Sequence, residues 1–141
     1  MFNRRSVRGF TLIELLMVVA LVAVLASIAL PSYLDYLRKG NRADVQQLMY
    51  QEAVKLERIY SRNGGYPDRS EYTITKVHPH YDLRYTPLGK PTGAVGTYRN
   101  LRFSISATPK ANTTQVSDIC GTLRLDEQGD GVSDGPADEC W

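Results

Sequence analysis

FTLIELLMVVALVAVLASIAL, residues 10–30, holds 21 residues and one ionisable side chain, Glu14. As an α-helix rising 1.5 Å per residue it would be roughly 31 Å long, which matches a bilayer hydrocarbon core of about 30 Å. The segment is therefore expected to span a membrane. Ahead of it the leader MFNRRSVRG carries Arg4, Arg5 and Arg8 and no acid. Basic residues beside a span stay on the cytoplasmic side, so the N-terminus should face inward and the remainder of the chain outward. An ordinary secretory signal is cut behind its apolar region and loses it. Here the small residue that follows the arginines is Gly9, and a cut after Gly9 would keep the apolar helix and start it at Phe10. Without such a cut the segment reads as a simple one-pass anchor.

Glu14 argues against the simple anchor. A carboxylate inside a membrane helix costs about 2.5–3.5 kcal/mol on insertion scales, and such residues usually have a partner or a function. The new amino group at Phe10, on the same helix or a neighbouring one, is the nearest candidate partner for a charge-assisted hydrogen bond. The alternative is a short acidic side chain that snorkels to the nearby interface.

The string Gly9-Phe10-Thr11-Leu12-Ile13-Glu14, the apolar run behind it and Pro31-Ser32-Tyr33 together resemble the class III signal and N-terminal helix of type IV pilins and pseudopilins. The resemblance covers residues 4 to about 60 well, on a highly specific motif. It implies cleavage after Gly9 by a prepilin peptidase, N-methylation of Phe10, and use of Glu14 during assembly. It also implies a helical filament with the apolar helices packed in its centre, other pilin subunits and an inner-membrane assembly platform as partners, and a tip adhesin as a further one.

Beyond the span, Pro31 removes a backbone donor and crowds the preceding turn, so a helix kink is expected there. Gly40-Asn41 marks a second weak point. Val45, Leu48, Met49, Ala53, Leu56, Ile59 and Tyr60 then recur at helical spacing, with Asp44, Gln47, Gln51, Lys55 and Arg58 on other faces. That stripe reads as core packing against a sheet. Asn63-Gly64-Gly65 and Tyr66-Pro67 stop the helix. Alternation follows at Tyr72 and Ile74, at Tyr81, Leu83 and Tyr85, at Leu101, Phe103, Ile105 and Ala107, and at Ile119, Leu123 and Leu125, predicting four short strands. The fold class is α+β: a long N-terminal helix packed on a small antiparallel sheet, the type IV pilin fold. Its parts are a leader at 1–9, an assembly helix at 10–30, an amphipathic helix at 31–62 and a β-sheet head at 63–141.

In a head exported from the cytoplasm, the two cysteines, Cys120 and Cys140, are most simply read as a disulfide. A metal site would need more ligands than two thiols and the distant His78 and His80, which read as a surface turn around Pro79. Asp126, Asp130 and Asp134 suggest calcium, but Ala137 stands where an EF-hand needs its bidentate Glu, so a solvated acidic loop is the reading. No nucleophile has a base beside it in any recognised context, and neither an enzyme nor a cofactor is expected. The block from Cys120 to Trp141 and the segment from Leu56 to Tyr66 resemble PilE-type minor pilins more loosely.

The whole chain carries 17 Lys/Arg and 15 Asp/Glu, so removing the three leader arginines leaves 14 against 15. That balance excludes a strong polyanion binder. Residues 61–119 nevertheless hold eight basic and four acidic side chains, among them Arg69, Arg84, Arg99, Arg102 and Lys110 near tyrosines. DNA uptake is therefore weighed as an alternative, nucleic acid not being the expected partner. A structural minor subunit of a type IV pilus, serving biogenesis, twitching motility or adhesion, is preferred to that alternative and to a type II secretion pseudopilin. Mass spectrometry of the filament-associated protein should show residues 1–9 missing and one methyl group on the Phe10 amine; an intact leader would refute this.

Overall fold

The structure, a computed structural model, describes residues 9–141. The leader, apart from Gly9, lies outside the described residues. The first helix, α1, spans Leu12–Asn63. The chain divides after Tyr36 into two units, taken in turn.

The described part of the first unit is the apolar stretch of α1, whose large side chains from Leu12 to Leu30 are all exposed. It is long and apolar enough to cross a membrane. Pro31 lies within the helix.

The second unit, Leu37–Trp141, is an α+β head. Its part of α1 buries Arg42, Val45, Met49, Glu52 and Leu56, spaced three or four residues apart along one stripe. Two of these five are charged, so a purely apolar reading of the stripe is incomplete. The expected weak point at Gly40-Asn41 does not interrupt α1, because the Asn41 side chain is engaged outside the helix, its Nδ2 donating to Gln115 Oε1 at 3.1 Å. The helix stops after Asn63, where Gly64 takes a φ of +74° and donates its N–H to Tyr60 O at 2.8 Å. Glycine reaches this left-handed conformation without the penalty of a Cβ.

Six strands follow. β1 (Tyr66–Pro67) pairs with β3 (Tyr98–Asn100) in a two-stranded ribbon. β2 (Tyr81–Leu88), β4 (Arg102–Pro109), β5 (Leu123–Asp126) and β6 (Gly131–Ser133) form an antiparallel sheet in the order β2-β4-β5-β6. Tyr85, Ile105 and Leu125 stand opposite one another across three strands, as do Leu83, Ala107 and Leu123. These rows and Phe103 join Val45, Met49 and Leu56 of α1 in one core.

Alternation held for the central strands and failed at three places. Tyr72 and Ile74 are half-buried against the core but form no strand, because the Tyr72 hydroxyl donates to Glu52 Oε2 on α1 at 2.6 Å and ties the segment to the helix. Leu101 is 52% exposed and lies outside both neighbouring strands. The buried residue there is Asn100, whose Nδ2 donates to Tyr66 O, Pro67 O and Asp68 Oδ1 and so turns the chain. Ile119 is 58% exposed, since Gly121, with φ +55°, makes a turn and β5 begins only at Leu123.

Candidate functional site

Thr11 and Glu14 form a reciprocal cap at the start of α1. The Thr11 N–H and hydroxyl donate to Glu14 Oε2 at 3.1 and 3.0 Å, and the Glu14 N–H donates to Thr11 Oγ1 at 3.3 Å. This is a capping box, which satisfies donors that a helix start leaves orphaned. Both Thr11 bonds fall on Oε2. Gly9 and Phe10, immediately ahead, are exposed. The reading of Glu14 missed Thr11, although Thr-x-x-Glu before an apolar run is the capping signature itself.

At the other end of the chain Cys120 and Cys140 are joined in a disulfide, as expected. The loop it closes is held to α1 by one guanidinium. Arg42 Nη2 lies 2.5 Å from Asp118 Oδ1, its Nε donates to Asp118 Oδ2 at 3.2 Å, and its Nη1 donates to Glu139 O at 2.7 Å. Asp118 precedes one cysteine by two residues and Glu139 precedes the other by one, so Arg42 grips both feet of the loop. Gln46 Nε2 adds a bond to Cys140 O at 2.6 Å. Gln115 is fully buried between them and donates through Nε2 to Asp118 Oδ2, the Tyr81 hydroxyl and Arg38 O. No sequence pattern announced this network, because Arg42 and Asp118 are 76 residues apart.

Burial pushes the Asp118 carboxyl up, but hydrogen bonds from Arg42 and from the Cys120 N–H outweigh it and leave the group below its ordinary value. Burial likewise raises the Tyr81 hydroxyl, with the Asp118 charge adding to it.

The surface turn expected at His78 and His80 is corrected in part. His78 is only 7% exposed, and its ring packs edge-on against Tyr81 at 5.5 Å. It accepts the His80 N–H at Nδ1 and the Lys110 ammonium at its carbonyl. Burial, then the neighbouring His80, lowers its pKa. In the acidic loop, Asp126 Oδ1 accepts the N–H groups of Gln128 and Asp130, and Asp134 pairs with Arg124 at 2.7 Å. These carboxylates shape their own turns. Of the basic residues, Arg69 and Arg84 are among those lining one cleft, Arg99 bonds to Val95 O, and Lys110 lies beside Asp82.

The family model described as "Type IV minor pilin ComP, DNA uptake sequence receptor" matches residues 31–124. The chain belongs to this family of type IV pilins. A second model, the prokaryotic N-terminal methylation motif, matches residues 4–30. The chain is 38% identical to a type IV pilin from Shewanella oneidensis, over 74% of its own length and 97% of that chain, with a TM-score of 0.55. It also shares the fold of the non-core minor pilin PilV from Neisseria meningitidis, at 17% identity over 75% of this chain and 95% of that one, with a TM-score of 0.52. The type IV major fimbrial protein FimA from Dichelobacter nodosus is 31% identical over 61% of this chain, a match that spans 62% of its own length.

In this pilin, Arg42→Ala should cost about 3–5 kcal/mol, the usual result of leaving a buried charge without its partner. Because the folded-state pKa of Asp118 is depressed, the parent's stabilisation is complete above the unfolded value of about 3.9 and is lost as pH falls through the folded value. In Arg42→Ala burial acts on Asp118 with its main opponent gone, so the folded-state value rises, the acid-dependent loss from this group shrinks or reverses, and the stability gap between variant and parent should narrow as pH falls. Urea denaturation of the detergent-solubilised chain against pH checks both effects.

Proposed function

We propose that this pilin is a structural, non-catalytic minor subunit of a type IV pilus, held in the inner membrane by residues 10–30 with its N-terminus cytoplasmic and then built into the extracellular filament. The observation that carries this reading is the uncovered apolar surface from Leu12 to Leu30, broken by one carboxylate. Lipid covers that surface before assembly, and the corresponding helices of other subunits cover it afterwards. Cleavage after Gly9 by the prepilin peptidase frees the Phe10 amine, which is then methylated. Among the described residues Glu14 Oε1 has no hydrogen-bond partner, since Thr11 engages only Oε2. It is left to accept the amine of a docking subunit, where an unpaired charge in an apolar surround would be expensive. Pro31 lies inside α1, just past the apolar run, and a bend there on leaving the bilayer belongs to the same proposal. The family's description as a minor pilin, and the C-terminal disulfide, support a pilus role over a secretion pseudopilin.

A second reading, DNA reception, is supported by the family's description as a DNA uptake sequence receptor and by the exposed Arg69, Arg84 and Arg102 on the head.

Glu14→Ala removes an insertion cost, so membrane insertion and cleavage should be no weaker than in the parent. Cells carrying it should contain parental amounts of processed protein in the membrane and at least about tenfold less in sheared filaments, a deficit of roughly 1.4 kcal/mol in docking. Incorporation equal to the parent would make Glu14 a snorkelling residue and refute the docking role.

A further inference from the structure

Residues 72–79 form a strap between the turn at Asp68–Glu71 and the start of β2. Among the described residues the strap makes no backbone–backbone hydrogen bond; such bonds stop at Glu71 N–H to Asp68 O on one side and resume at Lys110 N–H to His80 O on the other. A segment without a ladder is held by its side chains and opens more easily than the strands beside it. Near its start the Tyr72 hydroxyl bonds to Glu52, and Lys76 Nζ donates to Gln51 Oε1 at 2.8 Å, both on α1. Towards its end His78 is the one buried residue of 72–79. The His78 ring lies edge-on to Tyr81, whose hydroxyl accepts from Gln115 Nε2 at 2.8 Å and lies 3.3 Å from Asp118 Oδ2. His78 therefore covers a tyrosine that belongs to the Arg42 network.

The seat of this ring suits its neutral form. His78 Nδ1 accepts the His80 N–H at 3.2 Å, which puts the proton of the neutral ring on Nε2. A second proton would turn Nδ1 into a donor facing another donor. The surrounding charges oppose that proton as well. Lys110 Nζ sits 2.8 Å from the His78 carbonyl, and the His80 ring centroid is 6.1 Å from that of His78. Asp44 on α1 favours a charged His78, whereas Asp82 on β2 lies 3.8 Å from the Lys110 ammonium. Burial, then His80, outweighs Asp44, and with Lys110 they hold the His78 imidazole below its ordinary value.

We propose that His78 is an acid-released clasp: neutral, it seats the strap over Tyr81; protonated, it leaves that seat, frees residues 73–79 between hinges at Tyr72 and Tyr81, and bares the Tyr81 ring while the sheet stays folded. In the freed strap His78 returns to its ordinary value of about 6.5. Because the seated value is lower, the clasp holds at full strength above about 6.5, weakens as pH falls from there, and stops weakening below the seated value.

The test is electron paramagnetic resonance of the full chain in neutral detergent, with a nitroxide on Val77→Cys, an 84% exposed strap position. A second sample carries the label on Val132→Cys in β6. The native cysteines, being joined to each other, do not take the label. Below about pH 6.5 the ratio of mobile to immobile Val77 label should rise by up to about tenfold per pH unit and then level off, while the Val132 spectrum stays unchanged. His78→Asn, whose Oδ1 can accept the His80 N–H and which does not titrate, should hold the ratio constant. Lys110→Gln removes an opposing charge and should shrink the rise. Asp44→Asn removes the favouring charge and should enlarge it, a pair of opposite signs that packing alone would not produce. A parent ratio indifferent to pH, a rise that survives in His78→Asn, equal rises in Lys110→Gln and Asp44→Asn, or a Val132 label that loosens in step with Val77 would each overturn the clasp.

Discussion

The buried guanidinium of Arg42 is the contact on which the head's construction depends. An arginine in a helix's core stripe carries a desolvation cost of several kcal/mol, which only good geometry and additional acceptors offset. Here the acceptors are Asp118 and the Glu139 carbonyl, one on each side of the disulfide loop. The covalent bond between Cys120 and Cys140 and the ionic bond through Arg42 thus close the same region twice. The first shortens the unfolded chain's freedom, and the second fixes where the closed loop sits on α1. A disulfide alone would leave a loop spanning 20 residues free to pivot. Gly135 completes the fit, since a Cβ there would collide with the backbone at Ile119 and Cys120, and Gly131 does so beneath the Trp141 ring.

Glu52 shows the same principle nearly three turns further along α1. It lies fully within the stripe, yet Lys55 and the Tyr72 hydroxyl satisfy both of its oxygens. A charged residue on the core face of a helix is tolerable when the covering segment brings a donor, and Tyr72 is that donor. The cost is paid at the sheet: a segment pinned to α1 through its tyrosine is not available to extend the ladder beyond β2.

This explains which parts of the architecture were legible. Phe103-Ser104-Ile105-Ser106-Ala107 and Leu123-Arg124-Leu125 alternate because each has one dry and one wet face, and both became strands in register. Val45, Met49 and Leu56 showed their helical period for the same reason, and the two cysteines had only each other. Periodicity records burial, however, not hydrogen bonding. Tyr72 and Ile74 alternate because they are half-buried, while the backbone between them pairs with nothing in the sheet. Arg42 and Asp118 were silent because a pair's value lies in a distance between two residues remote in the chain. β1, β3 and β6 are two or three residues each, too short to display any period. In the apolar N-terminal segment Glu14 was legible from its cost, whereas its intimate partner Thr11 is a local capping residue that hydropathy alone passes over.

Under the proposed assembly with other pilins, the head must keep its sheet edges from offering a competing mode of association. The two edges of this sheet are managed differently. At the β6 edge the strand is three residues long, and the short helix α2, Ala137–Cys140, is packed next to it. At the β2 edge Pro87 deletes a donor and Arg84 places a charge, both of which discourage a neighbouring head from adding a strand. Covering that edge with the 70–77 segment in ladder contact would have closed it completely, but Glu52 already holds Tyr72 against the helix. The edge is protected against strands and remains open to smaller groups, so the cleft at Arg69 and Arg84 follows from how the buried carboxylate of Glu52 was satisfied.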